Sequence, residues 1–465
     1  MSIIKAYTLP HPPLAVPAVG RGKESKEIRN TLDAMDAVAV EIAALAPETI
    51  IYITPHSTVY GNYFHISPGK AALGNLGRFG APEVKFETEY DEELVAEISS
   101  IAEYNDIAAG TQGEREANLD HGVTVPMWFI NQRYTDYRSI RVSQSGMAPS
   151  EHYMLGQIIT KAVDKTGRKT IIIASSDLSH KLESDGPYGF AHEGPEFDAA
   201  FTQALAKGDF LSMFKIPDSL RERAAECGYN SLAILAGCFD RKNVDSELLS
   251  YEGPFGVGYA VASFTPTGEN EGRNILEQYV EYVLRAAETK RNAEDEYQEL
   301  ARRSLEHIIT ADKKMSIPNG LPDDLIKRQA GVFVSIHKHG RLRGCIGTIL
   351  PTTQNIATEI IQNAVSAGLA DERFDPVTAD ELQYLEYKVD ILAAPEPIKD
   401  KEELDVKRYG VIVTSGFKRG LLLPNLDGVD TVEDQISIAM RKAGIRDDEK
   451  VSLERFEVVR HGGDS

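Results

Sequence analysis

KTIIIASSDLSHKL, residues 169–182, is a short apolar run that passes directly into polar residues and His180. The pattern predicts a buried strand that ends just before the histidine. Two other apolar runs end in the same way, since TIIYITP precedes His56 and IIKAYTLP precedes His11. In an open α/β sheet, ligands bind beyond the carboxyl ends of the strands. We therefore expect the three histidines to converge in one crevice, where imidazoles are common ligands of a metal ion.

Strand and helix patterns alternate along residues 1–265. This alternation is typical of an α/β fold with a mostly parallel sheet that helices cover on both faces. The predicted strands are residues 3–8, 49–54, 138–143, 169–175 and 257–264. The predicted helices are residues 24–46, 90–103, 150–165, 195–207 and 219–239.

A polar, turn-rich stretch, PTGENEGR, follows the alternating region and precedes a long helical pattern. We therefore predict a first domain over residues 1–270, a helical linker over residues 271–292 and a second domain over residues 293–465. The second domain carries its own strand patterns, at residues 331–338, 385–393 and 409–415.

The composition is that of a water-soluble globular protein. The formal net charge of −21 argues against a general nucleic-acid binder, because phosphate contacts need clustered Lys and Arg. No run approaches the roughly 20 apolar residues that span a bilayer, so we expect no membrane association. The N-terminal residues lack the pattern of a signal peptide. The 3 cysteines are too few for a disulfide framework, which predicts a reducing, cytoplasmic setting.

Five segments of the first domain occur in the order found in a known family. They are HPP at 11–13, PHSTVYG at 55–61, LDHGVTVP at 119–126, SSDLSHKL at 175–182 and ECGYNSLAILAG at 226–237. As an ordered set they resemble the class III extradiol dioxygenases and also Memo, a non-heme-iron relative of those enzymes. The resemblance implies that His11 and His56 bind Fe(II), with zinc or another divalent metal as the alternative.

The third metal ligand stays open between Glu226 and Cys227. The carboxylate of Glu226 suits the dioxygenase pattern, and the thiol of Cys227 suits the Memo pattern. Neighbours in a helix point about 100° apart, so we expect only one of the two side chains to face the metal.

The resemblance also assigns expected roles to residues beside the metal. It implies that His180 is the acid–base histidine and that His121 contacts the substrate. Asp177 either orients His180 or its neighbours through a hydrogen bond or caps the following turn. Two further histidines, His65 and His152, are interpreted as surface residues.

The run GRLRGCIGTILP, residues 340–351, is the sharpest feature of the second domain. With DERFDPV and RGLLLP further along, it resembles the AMMECR family, which implies an α+β domain. Gly344 and Gly347 allow a backbone approach that a Cβ atom would prevent. Arg343, with Arg341, would favour the thiolate of Cys345 as a nucleophile. We favour the alternative that Cys345 is a small buried residue, because no histidine close to it in the sequence completes a thiol–base pair. His337 and His339 lie on the preceding strand and could come near.

The sequence thus predicts a non-heme-iron, extradiol-dioxygenase-like enzyme that acts on a small catechol-like aromatic substrate. The alternative is a metal-binding component, without ring cleavage, of a modification or biosynthetic system that includes a radical-SAM partner protein. The resemblance to such two-domain fusions suggests that partner, and class III relatives suggest a homodimer. A scaffold without chemistry of its own is the third possibility, chiefly for the second domain.

Overall fold

The sheet of the first unit is built from the apolar runs that the sequence predicts as strands. The computed structural model describes residues 2–20, 24–115, 118–338, 341–426 and 428–462, and it divides into two units between Val280 and Glu281. The strands of the first unit are β1 (Ile3–Leu9), β2 (Thr49–Thr54), β3 (Phe64–His65), β4 (Ala71–Leu76), β5 (Ala81–Glu89), β6 (Ala109–Gly110), β7 (Arg138–Ser143), β8 (Thr170–Ser175), β9 (Lys242–Glu252) and β10 (Tyr259–Glu269).

The main sheet has six strands in the order β7-β2-β8-β1-β10-β9. β7, β2, β8 and β1 pair in parallel, whereas β10 and β9 add to the β1 edge in antiparallel pairs. The prediction of a mostly parallel sheet is confirmed. The carboxyl ends of β1, β2 and β8 are neighbours, which brings the segments that follow them to the same edge.

Helices cover both faces of this sheet, as predicted. Along β8, Ile172 and Ala174 belong to one buried cluster, and Ile171 and Ile173 belong to the other. The helices of the first unit are α1 (Glu24–Glu27), α2 (Arg29–Leu45), α3 (Glu92–Tyr104), α4 (His121–Asn131), α5 (Pro149–Thr166), α6 (Glu193–Lys207), α7 (Phe210–Phe214), α8 (Asp218–Ala224) and α9 (Tyr229–Cys238).

The single helix predicted over residues 219–239 is wrong. The chain forms two helices, α8 and α9, because Ala225 adopts a left-handed conformation (φ 54°) that ends α8. Gly228 lies so close to Ser176 that a Cβ atom there would overlap the serine side chain. Glu226 and Cys227 therefore lie in an irregular connection beside the end of β8, and not on a helix.

Glycines let α9 approach α5 closely. A Cβ atom on Gly237 would overlap the carbonyl of Tyr153, and one on Gly156 would overlap the carbonyl of Ile234. Both overlaps are with backbone atoms, which cannot move aside as a side chain can. This contact fixes the helix that begins just after Cys227.

We expect Gly237→Ala to lower the free energy of unfolding by about 1–3 kcal/mol, because the added methyl group pushes α9 away from α5. Urea unfolding followed by circular dichroism measures the change. Gly61→Ala is the matched control, since a Cβ atom there meets no atom within 4 Å, and it should be close to neutral. Equal stability of the two variants would contradict the close contact.

The second unit is an α+β structure, as predicted. Its sheet has the order β12-β11-β13-β17-β15-β16 with antiparallel pairing, and β14 pairs with β17. The strands are β11 (Gly331–Lys338), β12 (Arg341–Gly347), β13 (Leu385–Leu392), β14 (Glu396–Ile398), β15 (Tyr409–Ser415), β16 (Lys418–Leu422) and β17 (Ser452–His461). The helices from residue 275 onward are α10 (Ile275–Asn292), α11 (Glu296–Ala311), α12 (Asp323–Lys327), α13 (Ile356–Leu369) and α14 (Val432–Lys442).

The segment predicted as a helical linker, residues 271–292, contains a short 3₁₀ turn followed by α10. In the described ranges of the chain, no helix combines the length and the apolar character that crossing a bilayer requires.

Candidate active site

His11 and His56 lie side by side beyond the carboxyl ends of β1 and β2, with their rings nearly perpendicular (87°). Their Nε2 atoms are 3.0 Å apart, and His11 is 1% exposed. The Nδ1 atom of His11 is 2.8 Å from the hydroxyl of Ser175, the last residue of β8. This hydrogen bond orients the ring so that Nε2 points towards His56. The parallel strands thus bring together two imidazoles that are 45 residues apart in the chain.

Cys227 is the third member of this cluster. Its Sγ atom lies 3.6 Å from Nε2 of His11, and one ligand atom each from His11, His56 and Cys227 lie within 4.8 Å of one another. Glu226 is turned elsewhere, since its carboxylate accepts a hydrogen bond of 2.7 Å from the N–H of Tyr229 at the start of α9. Such a bond satisfies a helix N–H that has no partner within the helix. The thiol, and not the carboxylate, faces the two histidines.

Burial controls the protonation of the cluster. It lowers the pKa of His11, with the neighbouring His56 adding to the effect, and it also lowers the pKa of His56. Burial raises the pKa of Cys227. Neutral imidazoles are the form that binds a metal, and a bound cation favours the thiolate over the thiol.

Asp177 supports His11. Its Oδ1 atom accepts a hydrogen bond of 2.9 Å from the backbone N–H of His11, and its Oδ2 atom is 3.5 Å from Nε2 of the same residue. Burial raises the pKa of Asp177 to about 7. The next helix, α6, begins 16 residues later at Glu193, so Asp177 is not a helix cap. Of the predicted alternatives, the structure shows a contact with a neighbouring histidine and, in the described residues, no hydrogen bond to His180.

His180 is held by the connection between α8 and α9. Its backbone N–H donates to the carbonyl of Ala224, and its Nδ1 atom forms a short hydrogen bond with the carbonyl of Ala225. A carbonyl only accepts, so Nδ1 carries the proton and Nε2 keeps its lone pair. Burial lowers the pKa of His180, and a positive charge on this ring would lower the pKa values of both His11 and His56. The neutral ring is therefore a proton acceptor beside the cluster.

His121 stacks on His56, with ring centroids 4.1 Å apart. It is the first residue of α4, and burial lowers its pKa to about 4. The preceding residue, Asp120, accepts a hydrogen bond of 2.6 Å from the hydroxyl of Thr54 at the end of β2. This bond fixes the start of α4 to the strand that leads to His56.

A cavity of about 610 Å³ opens beside the two stacked histidines. Its wall includes Phe79, whose ring is 5.3 Å from that of His121, together with Arg78 and Arg141. The sequence predictions missed these three residues. Arg141 could have been noticed in the sequence, because it is a charged residue in the middle of the apolar run SIRVS and Arg is rarely buried.

The interpretation of His65 and His152 as surface residues is wrong, because both are completely buried. The Nε2 atom of His65 is 2.8 Å from the carbonyl of Glu114. The Nε2 atom of His152 accepts from the N–H of Ser145, and burial lowers the pKa of His152 to about 4. Neutral imidazoles with hydrogen-bond partners are stable in a protein interior.

In the second unit, the residues of the glycine-rich motif lie on strand β12 and bond to neighbouring segments. Arg343 makes two hydrogen bonds, of 3.1 and 2.9 Å, to the carboxylate of Glu381, so this cation is paired with an acid. The N–H of Cys345 donates to Asp371 (2.9 Å), and the Ser335 hydroxyl donates to its sulfur (3.3 Å). Cβ atoms would overlap neighbours at both predicted glycines, Gly344 and Gly347.

The sulfur of Cys345 accepts its hydrogen bond from a serine, and the Asp371 carboxylate binds the backbone N–H of the same residue. His337 lies two residues beyond Ser335 on β11, and His339 lies outside the described residues. Cys345 is only partly buried, so the expectation of a fully buried residue is wrong, although its contacts with Ser335 and Asp371 suit a structural role.

Comparisons with known proteins cover both units. Residues 5–262 match the model of the catalytic LigB subunit of aromatic ring-opening dioxygenase, and residues 298–461 match the AMMECR1 model. A protein of Clostridium acetobutylicum, Protein CA_C1420, is 41% identical over 99% of both chains. A Thermotoga maritima protein is 50% identical over 36% of this chain and 98% of its own length. The crystal structure of the uncharacterized protein PH0010 from Pyrococcus horikoshii is similar over 35% of this chain and 88% of its own, with 29% identity and a TM-score of 0.34.

Proposed function

This chain belongs to the family of the catalytic LigB subunit of aromatic ring-opening dioxygenases and also carries an AMMECR1 domain, and from that premise we propose that it is a metal-dependent oxygenase acting on a catechol-like aromatic substrate. The observation that carries the proposal is the convergence of His11, His56 and Cys227 beside a cavity. We propose no chemical role for the second unit.

The side chains of the cluster fit a divalent transition metal. Two neutral imidazoles and one thiol are a donor set for Fe(II) or Zn(II), whereas Mg²⁺ and Ca²⁺ prefer oxygen ligands. We propose iron as the metal, with zinc as the alternative. When bound, Fe(II) supplies positions at which a catechol and O₂ are brought together.

The surrounding residues have separate tasks. Ser175 orients the imidazole of His11, and Asp177 binds the backbone N–H of the same residue. His180, through its unprotonated Nε2 atom, accepts a proton from a catechol hydroxyl and returns it later. His121 and Phe79 flank the aromatic ring of the substrate in the cavity.

A second function is favoured by one observation, the thiol in place of a carboxylate. Extradiol enzymes of the dioxygenase type use two histidines and a carboxylate, and a thiolate makes a softer site. The alternative is a metal-binding component of a radical-SAM-associated modification or biosynthetic system that does not cleave rings.

Metal analysis of the full chain, purified without oxygen, tests the proposal. We expect about one iron per chain and O₂ consumption when a catechol is added. Iron without O₂ consumption across a panel of catechols would favour the alternative. A protein that binds no divalent metal, and whose thermal stability does not change on chelation, would contradict both functions.

A further inference from the structure

Asp198 is a buried carboxylate on α6. It is 1% exposed, and none of the described residues forms an ion pair with it. Burial raises the pKa of Asp198 to about 7, and the charge of the neighbouring Glu226 adds to the effect. Asp is almost never fully buried unless it is paired. Burying a charged group is costly without hydrogen bonds, so the partners of this carboxylate indicate its role.

Two hydrogen bonds hold the carboxylate of Asp198. Its Oδ1 atom accepts from the backbone N–H of Ser179 (2.8 Å), and its Oδ2 atom accepts from the hydroxyl of Tyr251 on β9 (2.6 Å). Hydrogen bonds to an ionised acceptor are about twice as strong as those between neutral groups. Because Ser179 directly precedes His180, Asp198 fixes the backbone next to the proton acceptor of the proposed reaction.

The segment at Ser179 is irregular, and its other polar groups are also bonded. The carbonyl of Ser179 accepts from the N–H of Gly258 (2.8 Å), and its hydroxyl donates to the carbonyl of Ala224 (3.0 Å). A Cβ atom on Gly258 would overlap the carboxylate of Asp198, so the chain packs directly against this side chain. A buried backbone N–H needs a partner, and for Ser179 that partner is Asp198.

The same contacts connect Ser179 to the metal cluster. The carbonyl of Ala224 accepts from the hydroxyl of Ser179 and from the N–H of His180, each at 3.0 Å. The next carbonyl, that of Ala225, binds Nδ1 of His180, and Cys227 follows two residues later. A shift of Ser179 would therefore change how the ring of His180 is directed beside the cluster.

We propose that Asp198 is a positioning residue for the proton transfer, because its carboxylate, held by Tyr251, fixes Ser179 and thereby keeps the ring of His180 in one orientation and one tautomer. The inference rests on the proposed function, in which His180 accepts the proton. Asp198 is not among the residues that line the cavity, so it acts through His180 and not on the substrate.

Nitrogen NMR of the metal-free full chain, labelled with isotope-enriched histidine, tests the positioning separately from metal and oxygen chemistry. The signals of His180 are those that disappear in His180→Gln. We expect the wild type to show a single neutral tautomer with the proton on Nδ1, because the carbonyl of Ala225 only accepts. In Asp198→Ala we expect loss of this single tautomer, since the ring is then free to leave that carbonyl.

Three further variants separate positioning from a general loss of stability. Asp198→Asn should keep the His180 signal close to that of the wild type, because the amide oxygen still accepts from the same backbone N–H. Tyr251→Phe should shift the signal partway, since one of the two bonds of the carboxylate is lost. Asp209→Ala is the matched control: its carboxylate caps α7, so its loss should lower the melting temperature and leave the His180 signal unchanged.

The iron-loaded protein provides the kinetic test. Asp198→Ala should lower kcat for O₂ consumption about 10- to 100-fold and leave KM and the iron content within about threefold, because a misdirected catalytic group costs rate and not binding. Asp198→Asn should stay within about threefold of the wild type, since it keeps the hydrogen bond that positions the ring.

An unchanged His180 signal in Asp198→Ala would overturn the proposal. It would also be overturned if Asp209→Ala changed the signal as much, or if Asp198→Asn lost it as completely as Asp198→Ala. If Asp198→Ala does not fold, Tyr251→Phe decides, because Tyr251 is 40% exposed and an unchanged signal there would contradict the positioning role. A wild type that consumes no O₂ would instead refute the proposed oxygenase, and the NMR comparison would still decide the role of Asp198.

Discussion

Cys227→Ser is expected to weaken metal binding about 100-fold or more, while Glu226→Gln leaves it within about threefold of the wild type. The sulfur of Cys227 faces the two histidines, whereas the Glu226 carboxylate is bonded to the N–H of Tyr229. A serine hydroxyl stays protonated near neutral pH and is a poor ligand, so the variant keeps only two imidazoles. Competition with a chromophoric chelator under anaerobic conditions measures the affinity of each variant for Fe(II).

Cys345→Ser is the control for a change of thiol to hydroxyl, since Cys345 belongs to the second unit and should leave the metal affinity unchanged. The opposite pattern, with metal lost in Glu226→Gln and kept in Cys227→Ser, would make Glu226 the ligand. It would also mean that the connection between α8 and α9 rearranges when the metal binds.

The parallel sheet and the histidine positions could be predicted because their signals are local. The runs at β1, β2 and β8 are short, apolar and followed at once by polar residues, and parallel strands place their carboxyl ends side by side. The expectation that His11 and His56 lie near each other needs no further information. The choice between Glu226 and Cys227 does need the three-dimensional structure, because both side chains can bind a metal.

That choice depends on a break in a helix that the sequence pattern does not show. Residues 219–239 keep a helical pattern throughout, yet Ala225 is left-handed. The carbonyls of Ala224 and Ala225 are taken by the backbone and ring of His180, and Gly228 packs on Ser176. These are contacts between distant segments, which override local helix propensity.

Arg141 and strand β9 were missed for related reasons. β9 (Lys242–Glu252) is an edge strand with many charged residues, and such residues are typical both of loops and of protected sheet edges. Arg141 lies on a strand that the sequence predicts correctly, but its place in the cavity depends on loops from other parts of the chain. The place of such a residue in a cavity becomes visible only when the fold is known.

His180→Gln is expected to lower the rate of O₂ consumption at saturating catechol about 10²- to 10⁴-fold, with the iron content unchanged. Positioned acid–base groups contribute rate factors of this size. The ring of His180 is fixed by its bond to the Ala225 carbonyl, and His180 is not among the three residues whose ligand atoms form the metal cluster. Glutamine is polar but has no basic nitrogen, so the variant removes the proton acceptor without introducing a charge.

His192→Gln is the matched control, because His192 is exposed and precedes α6 without a hydrogen bond to that helix from its side chain. Oxygen-electrode rates and metal analysis on the same samples separate the possible roles of His180. Loss of iron together with activity would make His180 a metal ligand and contradict the proton-transfer role. A rate unchanged within about threefold, with iron retained, would mean that another group or water takes the catechol proton. His180 would then have a structural role. Its hydrogen bond to the carbonyl of Ala225 would hold the connection between α8 and α9, which contains Cys227 two residues further on.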